Sequence, residues 1–129
     1  MNELPKMLII EDDELNLKVY TYCLRHDFTI TTCRTDVEFF EKLAEGIQDI
    51  FLVDLSLPGG KDGIQLVQEL RQMEEYKNTP IIVVSAHAFR VDEERAMNAG
   101  ATKFLRKPIE NSVLLSEIKK YVQHSTAAK

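Results

Sequence analysis

Short apolar blocks alternate along the chain with longer stretches in which apolar residues recur every three or four positions. Met7–Ile10 is apolar, largely branched and of strand length, and it stops at the acidic run Glu11-Asp12-Asp13-Glu14. That pattern predicts a buried strand with carboxylates at its C-terminal end. Leu15 to His26 then carries apolar residues at helical spacing, including Leu15, Val19, Tyr22 and Cys23. Phe28–Cys33 is rich in β-branched residues and reads as a strand. Thr35 or Asp36 can cap a helix running to about Glu45, with Val37, Phe40, Leu43 and Ala44 on one face and Gly46 closing it. Ile50–Val53 is an apolar strand that stops at Asp54, and Pro58-Gly59-Gly60-Lys61-Asp62-Gly63 is a loop by composition. Ile64, Val67, Leu70 and Met73, with Leu66 beside them, predict an amphipathic helix. Pro80–Ser85 is a further buried strand. Arg90 to Ala99 is helical by residue type but mostly polar, and Gly100 closes it. Lys103–Arg106 is short and strand-like, and Ile109, Val113, Leu114, Ile118, Tyr121 and Val122 mark a last amphipathic helix. Residues 124–129 have nothing to bury and are expected to fray.

The order is strand then helix, five times over. Such alternation predicts the α/β class: a (βα)5 doubly wound parallel sheet of five strands with helices on both faces. Unbroken apolar strands such as Ile81–Val84 agree, because both faces of such strands are covered. At 129 residues the chain has the length of one domain, here residues 1–129 with a core at about 6–123. In an open parallel sheet, ligands bind outside the carboxyl ends of the strands. Those ends carry Glu11 and Asp12, Asp54, Ser85 and, after the fifth strand, Lys107. Three carboxylates on one edge repel: a like pair at ~4 Å costs about 4 kcal/mol at an effective dielectric of ~20. They must hold protons or a cation. Oxygen ligands without His or Cys suit a hard ion, Mg2+ first. A lysine opposite balances charge and can hold a phosphoryl oxygen.

Composition narrows the function classes. Apolar residues make up 44% and charged residues 29%, which is ordinary for a globular protein and too apolar for a disordered one. Sixteen Lys and Arg against twenty-one Asp and Glu leave a net charge of −5, which argues against nucleic-acid binding. No apolar run approaches the ~20 residues of a membrane helix. The start MNELPK lacks a cationic segment followed by an apolar stretch, so no secretory signal is read. Cys23 and Cys33 make no framework and no metal spacing, and both are expected to be reduced core residues. A cytoplasmic location and no membrane partner are the resulting expectations.

Four blocks at those strand ends resemble the motif blocks of receiver domains of two-component response regulators. They are Ile9-Ile10-Glu11-Asp12-Asp13, Leu52-Val53-Asp54-Leu55-Ser56-Leu57-Pro58, Val83-Val84-Ser85-Ala86 and Lys107-Pro108. Each alone is weak; the set, in order and at the right spacing over residues 7 to about 122, is strong. Glu14-Leu15-Asn16 and Asp92-Glu93-Glu94-Arg95 look most like free-standing receivers and those attached to hybrid histidine kinases. The resemblance implies a flavodoxin-like strand order 2-1-3-4-5. It implies that Asp54 is the phospho-acceptor and attacks the phosphohistidine of a histidine kinase or histidine phosphotransfer protein. Asp12 would be the direct Mg2+ ligand, Glu11 would hold the ion through water, and Asp54 and the Ser56 backbone carbonyl would complete the protein ligands. Lys107 would contact the phosphoryl group, Ser85 would donate its hydroxyl to it, and Phe104 would be the aromatic switch. A cis Lys107–Pro108 peptide is implied as well. The sequence departs from the common pattern at Glu11 for Asp, Ser85 for Thr and Phe104 for Tyr, and its loop from Pro58 to Asp62-Gly63 is one residue longer than usual.

On this reading the chain is a signalling phospho-acceptor and not an enzyme. It catalyses only its own phosphotransfer and slow autodephosphorylation. If these residues are the whole protein, the seven after Val122 cannot form an output module, and output is then expected to run through a downstream protein target. A monomer or a weak phosphorylation-dependent dimer is expected. A receiver excised from a hybrid histidine kinase and a phosphorylation-independent scaffold are the alternatives. An aspartyl phosphatase would want a second acid two residues after Asp54, where Ser56 stands. A nucleotide-binding domain would want a Gly- or Ser/Thr-rich loop after the first strand, where the acidic run stands. Residue by residue, Asp13 reads as a helix cap, Asp62 as a loop residue and His87 as a surface residue near the site. His26 and His124 read as solvated helix-end residues, and Phe104 is as readily a plain core aromatic as a switch. Asp54 taken alone could be a turn or cap aspartate.

Overall fold

The computed structural model describes residues 3–55, 63–86 and 90–122. The strands are β1 (Lys6–Ile10), β2 (Thr29–Cys33), β3 (Ile50–Asp54), β4 (Ile81–Ser85) and β5 (Lys103–Arg106). The helices are α1 (Glu14–Leu24), α2 (Asp36–Leu43), α3 (Gly63–Gln72), α4 (Arg90–Ala99) and α5 (Asn111–Lys119), with one 3-10 turn at Glu74–Tyr76. All strand pairs are parallel, in the order β2-β1-β3-β4-β5. Ile10 lies beside Cys33 and Val53, Asp54 beside Val84, and Ser85 beside Arg106. This register brings the carboxyl ends of the strands to one edge.

Alternate strand residues feed two apolar layers. Leu8, Ile10, Phe51, Val53, Ile81, Val83 and Phe104 join residues of α2, α3 and α4. Met7, Ile9, Ile50, Leu52, Ile82, Val84 and Leu105 join Leu17, Tyr20, Leu24, Leu114 and Ile118 of α1 and α5. Covering on both faces is why the strands read as unbroken apolar runs.

Several helix faces differ from their expected ones. The stripe Leu15, Val19 and Tyr22 of α1 is exposed, Leu15 at 68% and Tyr22 at 69%, while Leu17, Tyr20 and Leu24 turn inward. The helix carries two apolar stripes, and the one toward α5 and the strands is set by how the chain leaves β1. Asp13 caps that exit by accepting from the Asn16 N–H at 2.9 Å. In α2, capped by Thr35, the buried residue is Phe39; Val37 and Ala44 are exposed. The Phe39 ring meets Phe40 at 5.4 Å and Phe51 at 5.9 Å. Gly46 does not terminate α2, which ends at Leu43 with Ala44 still helical; among the described residues only Gly100 is a positive-φ glycine. Gly63 has a different task. A Cβ there would lie 2.6 Å from Leu55 Cδ2 and 3.1 Å from Val53 Cγ1, so its lack of a side chain lets α3 start against the end of β3.

Arg71, near the end of α3, ties the opposite edge together. Its guanidinium donates to the carbonyls of Gly100, Tyr76, Lys77 and Thr79 and to Thr102 Oγ1. Among the described residues no helix is long and apolar enough to cross a membrane.

Candidate functional site

Glu11 continues the line of β1: its N–H donates to the Cys33 carbonyl at 3.1 Å. Asp54 closes β3, and Lys107 follows β5 with its N–H on the Ser85 carbonyl at 2.9 Å. Strand alternation turns these three side chains toward the α1 and α5 layer. Glu11 and Asp54 are each only 1% exposed. Burying two carboxylates is costly unless a cation pairs with them. Lys107 does this: its Nζ lies 2.5 Å from Asp54 Oδ2 and 3.4 Å from Glu11 Oε1. Asp54 is thus ion-paired with Lys107 at the carboxyl edge of the sheet. The Lys107–Pro108 peptide is cis, as the resemblance implies.

The electrostatics follow from this crowding. Burial, then the hydrogen bond and charge of Asp54, push the Glu11 carboxyl up from 4.5 to about 7, against the Asp13 N–H and Lys107, which favour its charge. The Asp13 N–H donates to Glu11 Oε2 at 3.2 Å, and Asn16 Nδ2 donates to Oε1 at 3.1 Å. For Lys107, burial alone would lower the pKa, but the Asp54 hydrogen bond and charge outweigh it and hold the ammonium above its ordinary value.

Asp12 stands at the rim. It is half-buried, and its carbonyl accepts from Arg34 Nε at 3.0 Å. Among the described residues no three His, Cys, Asp or Glu side chains close into a metal cage. The expected convergence of Glu11, Asp12 and Asp54 is thus two carboxylates around Lys107, with Asp12 outside. Lys107 supplies the positive charge that the pair needs. The donor set nevertheless fits Mg2+, an ion that takes few protein oxygens and keeps several waters. The raised pKa of Glu11 marks negative charge that a cation would relieve.

Ser85 is buried at the end of β4. Phe104 is buried in the other layer, with Val83, Ala96 and Ala101 in the same cluster. The Arg106 guanidinium lies 6.0 Å over its ring and is paired with Glu93 of α4 at 2.6 Å. Of α4 only Ala96 is buried; Val91 and Met97 are exposed. Asp13 is a cap, as expected, and His26 is exposed. Ser56, the loop from Pro58 to Asp62, His87 and His124 lie outside the described residues.

Two residues of the site were not singled out from the sequence. Asn16 carries no signal of its own beyond the run Glu14-Leu15-Asn16, and its amide braces Glu11. Tyr20 of α1 is buried. Desolvation by burial is the main cause raising its phenol to about 12. Both residues line a groove of about 490 Å³ together with Val19, Lys107, Pro108 and Ile109.

Known proteins align with this arrangement over nearly the whole chain. The family model of the response regulator receiver domain matches residues 7–119. The polar-differentiation response regulator DivK of Brucella ovis is 30% identical over 117 residues, covering 90% of this chain and 94% of that protein. A CheY-like receiver domain protein from Methanospirillum hungatei superposes with a TM-score of 0.87 at 23% identity, over 98% of this chain and 100% of that one. The receiver domain of the sensor histidine kinase PA1611 from Pseudomonas aeruginosa, with a magnesium ion coordinated in its active-site cleft, has a TM-score of 0.83 at 25% identity, over 94% and 99%.

Proposed function

The chain belongs to the receiver-domain family of response regulators, and on that premise we propose that it takes a phosphoryl group from a protein phosphohistidine onto Asp54. The observation that carries this reading is the Lys107 ammonium, 2.5 Å from the buried Asp54 carboxylate at the C-terminal edge of the sheet. Lys107 pairs with the Asp54 carboxylate, and an opposite charge at that distance favours the ionised form that nucleophilic attack uses. An Asp54 oxygen forms the new P–O bond as the donor's N–P bond breaks, and the imidazole leaves with that electron pair. Lys107 then moves from the carboxylate to a phosphoryl oxygen, over a distance that its flexible stem spans. Ser85, at the neighbouring strand end, donates its hydroxyl to a second phosphoryl oxygen. Glu11, Asp12, Asp54 and the Ser56 carbonyl would hold Mg2+, which when bound supplies positive charge to the phosphoryl oxygens. The protein acts as a phospho-acceptor whose only catalysis is on its own Asp54.

The donor is a protein, a histidine kinase or histidine phosphotransfer protein. Leu15, Val19 and Tyr22 form an exposed apolar stripe on α1 beside the groove that reaches Lys107, and such a stripe suits a partner surface. Output is a second protein contact through the face of α4, β5 and α5. The test is intact mass after incubation with acetyl phosphate and Mg2+. One phosphoryl group per chain is expected in the unaltered protein and none in Asp54→Asn. Stoichiometric phosphate on Asp54→Asn overturns the reading.

A further inference from the structure

The two edge strands of the sheet differ in chemistry. β5 carries Lys103 and Arg106, charged residues of the kind that keep an edge from pairing with another chain. β2 is Thr29-Ile30-Thr31-Thr32-Cys33, β-branched through Thr32 and without a charge or a proline. We infer that β2 is an interaction surface for a second copy of this chain, the two strands pairing antiparallel about a two-fold axis at Thr31. The backbone shows which groups are open to such pairing. The Thr29 N–H donates to the Pro5 carbonyl, and the Cys33 carbonyl accepts from the Glu11 N–H, so Thr29, Thr31 and Cys33 turn their backbone polar groups toward β1. Ile30 and Thr32 turn theirs outward, and among the described residues neither N–H meets an acceptor. The open stretch ends there on both sides: the Phe28 N–H is taken by the Leu24 carbonyl, and the Arg34 N–H by Glu38 Oε1 at 2.8 Å.

The strand matches itself in that arrangement. Pairing centred on Thr31 sets Ile30 opposite the partner's Thr32, and opposite residues at such positions exchange both N–H···O bonds. Thr31 meets the partner's Thr31 at the closer, non-hydrogen-bonded position, where threonine pairs stabilise sheets. Hollows flank the strand on both faces. One of about 430 Å³, lined by Leu17, Tyr22 and Thr32 among others, lies on the α1 side, where the pairing delivers the partner's Ile30. The other, of about 200 Å³ and lined by Thr29, Thr31 and Lys42 among others, receives the partner's Thr31 on the α2 side. Charge selects the same direction. Lys42 of α2 stands at the amino end of β2, held only by Glu45 at 3.7 Å on the surface, and Glu38 stands at the carboxyl end beside Arg34. Antiparallel pairing sets Lys42 of each copy toward Glu38 of the other, whereas parallel pairing would set lysine beside lysine. Such a contact is isologous, so it closes at two copies. Asp54 lies on β3 with β1 between it and β2, so the pairing does not depend on the phosphoryl site.

The test is sedimentation velocity of the full chain without Mg2+ or a phosphoryl donor, from about 10 μM to about 1 mM, the range of a weak contact. The unaltered chain should pass from monomer to dimer over that range. Thr31→Lys and Thr31→Glu each set like charges opposite one another on the axis, and each variant alone should dimerise about tenfold more weakly. An equal mixture of the two should pair again, because the axis then joins lysine to glutamate. A second measurement needs no substitution: the amide signals of Ile30 and Thr32 in nitrogen-15 NMR should shift with protein concentration, and those of Lys103 to Arg106 on the other edge should not. This measurement decides the question if either variant fails to fold. A chain that stays monomeric throughout overturns the proposal and leaves the β2 edge to a strand of a different protein. A dimer that both variants retain, a mixture of folded variants that does not pair, or a dimer that leaves the Ile30 and Thr32 amides unmoved overturns it as well.

Discussion

Glu11→Gln should remove a pH dependence that the buried site imposes on folding. In the folded chain the Glu11 carboxyl gives up its proton at about 7, against an ordinary value of 4.5. Between those values the unfolded chain has lost the proton while the folded chain keeps it. The unfolded state therefore binds fewer protons, and stability falls as pH rises through this window. One proton of difference corresponds to about 1.4 kcal/mol per pH unit, so the whole window amounts to about 3 kcal/mol. Glu11 is 1% exposed, so solvent does little to screen the effect. Lys107, held above its ordinary value, stays charged throughout and adds no slope here. The assay is urea unfolding at pH 5 and pH 8 in metal-free buffer, on the unaltered chain and on Glu11→Gln. Titrations common to both proteins cancel in the comparison. The unaltered chain should lose about 3 kcal/mol more than the variant between the two pH values. Mg2+ at tenfold its dissociation constant should return about 1.4 kcal/mol to the unaltered chain at pH 8. Parallel pH profiles for the two proteins would refute the argument.

Arg71→Met removes a guanidinium that donates to four carbonyls and to Thr102 Oγ1, and should cost about 3 kcal/mol, a fall of roughly 10 °C in a thermal melt. Gly100→Ala places a Cβ at φ +117°, 2.5 Å from Arg71 Cγ, and should cost about 2 kcal/mol by denaturant titration. Helix α4 rests on Ala96 alone as a buried residue, so its amides should exchange among the fastest of the five helices. Adding beryllofluoride at fixed Mg2+ should alter exchange through residues 90–104; a change confined to the residues around Asp54 would rule out α4 as the moving element.

Local chemistry determined the parts of this protein that local chemistry controls. Apolar runs of strand length end at Glu11, Asp54 and Ser85, and parallel strands of similar length must bring such ends to one edge. Asp13 and Thr35 cap the helices they precede because a short oxygen-bearing side chain reaches free amides within one turn. The strand order and the roles within the site came from the resemblance of four motif blocks. What tertiary packing alone decided is where two surfaces can satisfy the same pattern. Helix α1 carries the stripe Leu15, Val19 and Tyr22 and the stripe Leu17, Tyr20 and Leu24, both at helical spacing. Only the exit from β1 and the position of α5 turn the second one inward and bring Tyr20 into the groove that Lys107, 87 positions later in the chain, also lines. Asp12 follows Glu11 directly, yet it stands half-buried in the bend after β1 while Glu11 is buried. The grip of Arg71 on Gly100 and Thr102 is likewise silent in the sequence. An arginine at the end of an amphipathic helix reads as solvated until the turn between α4 and β5 arrives beside it.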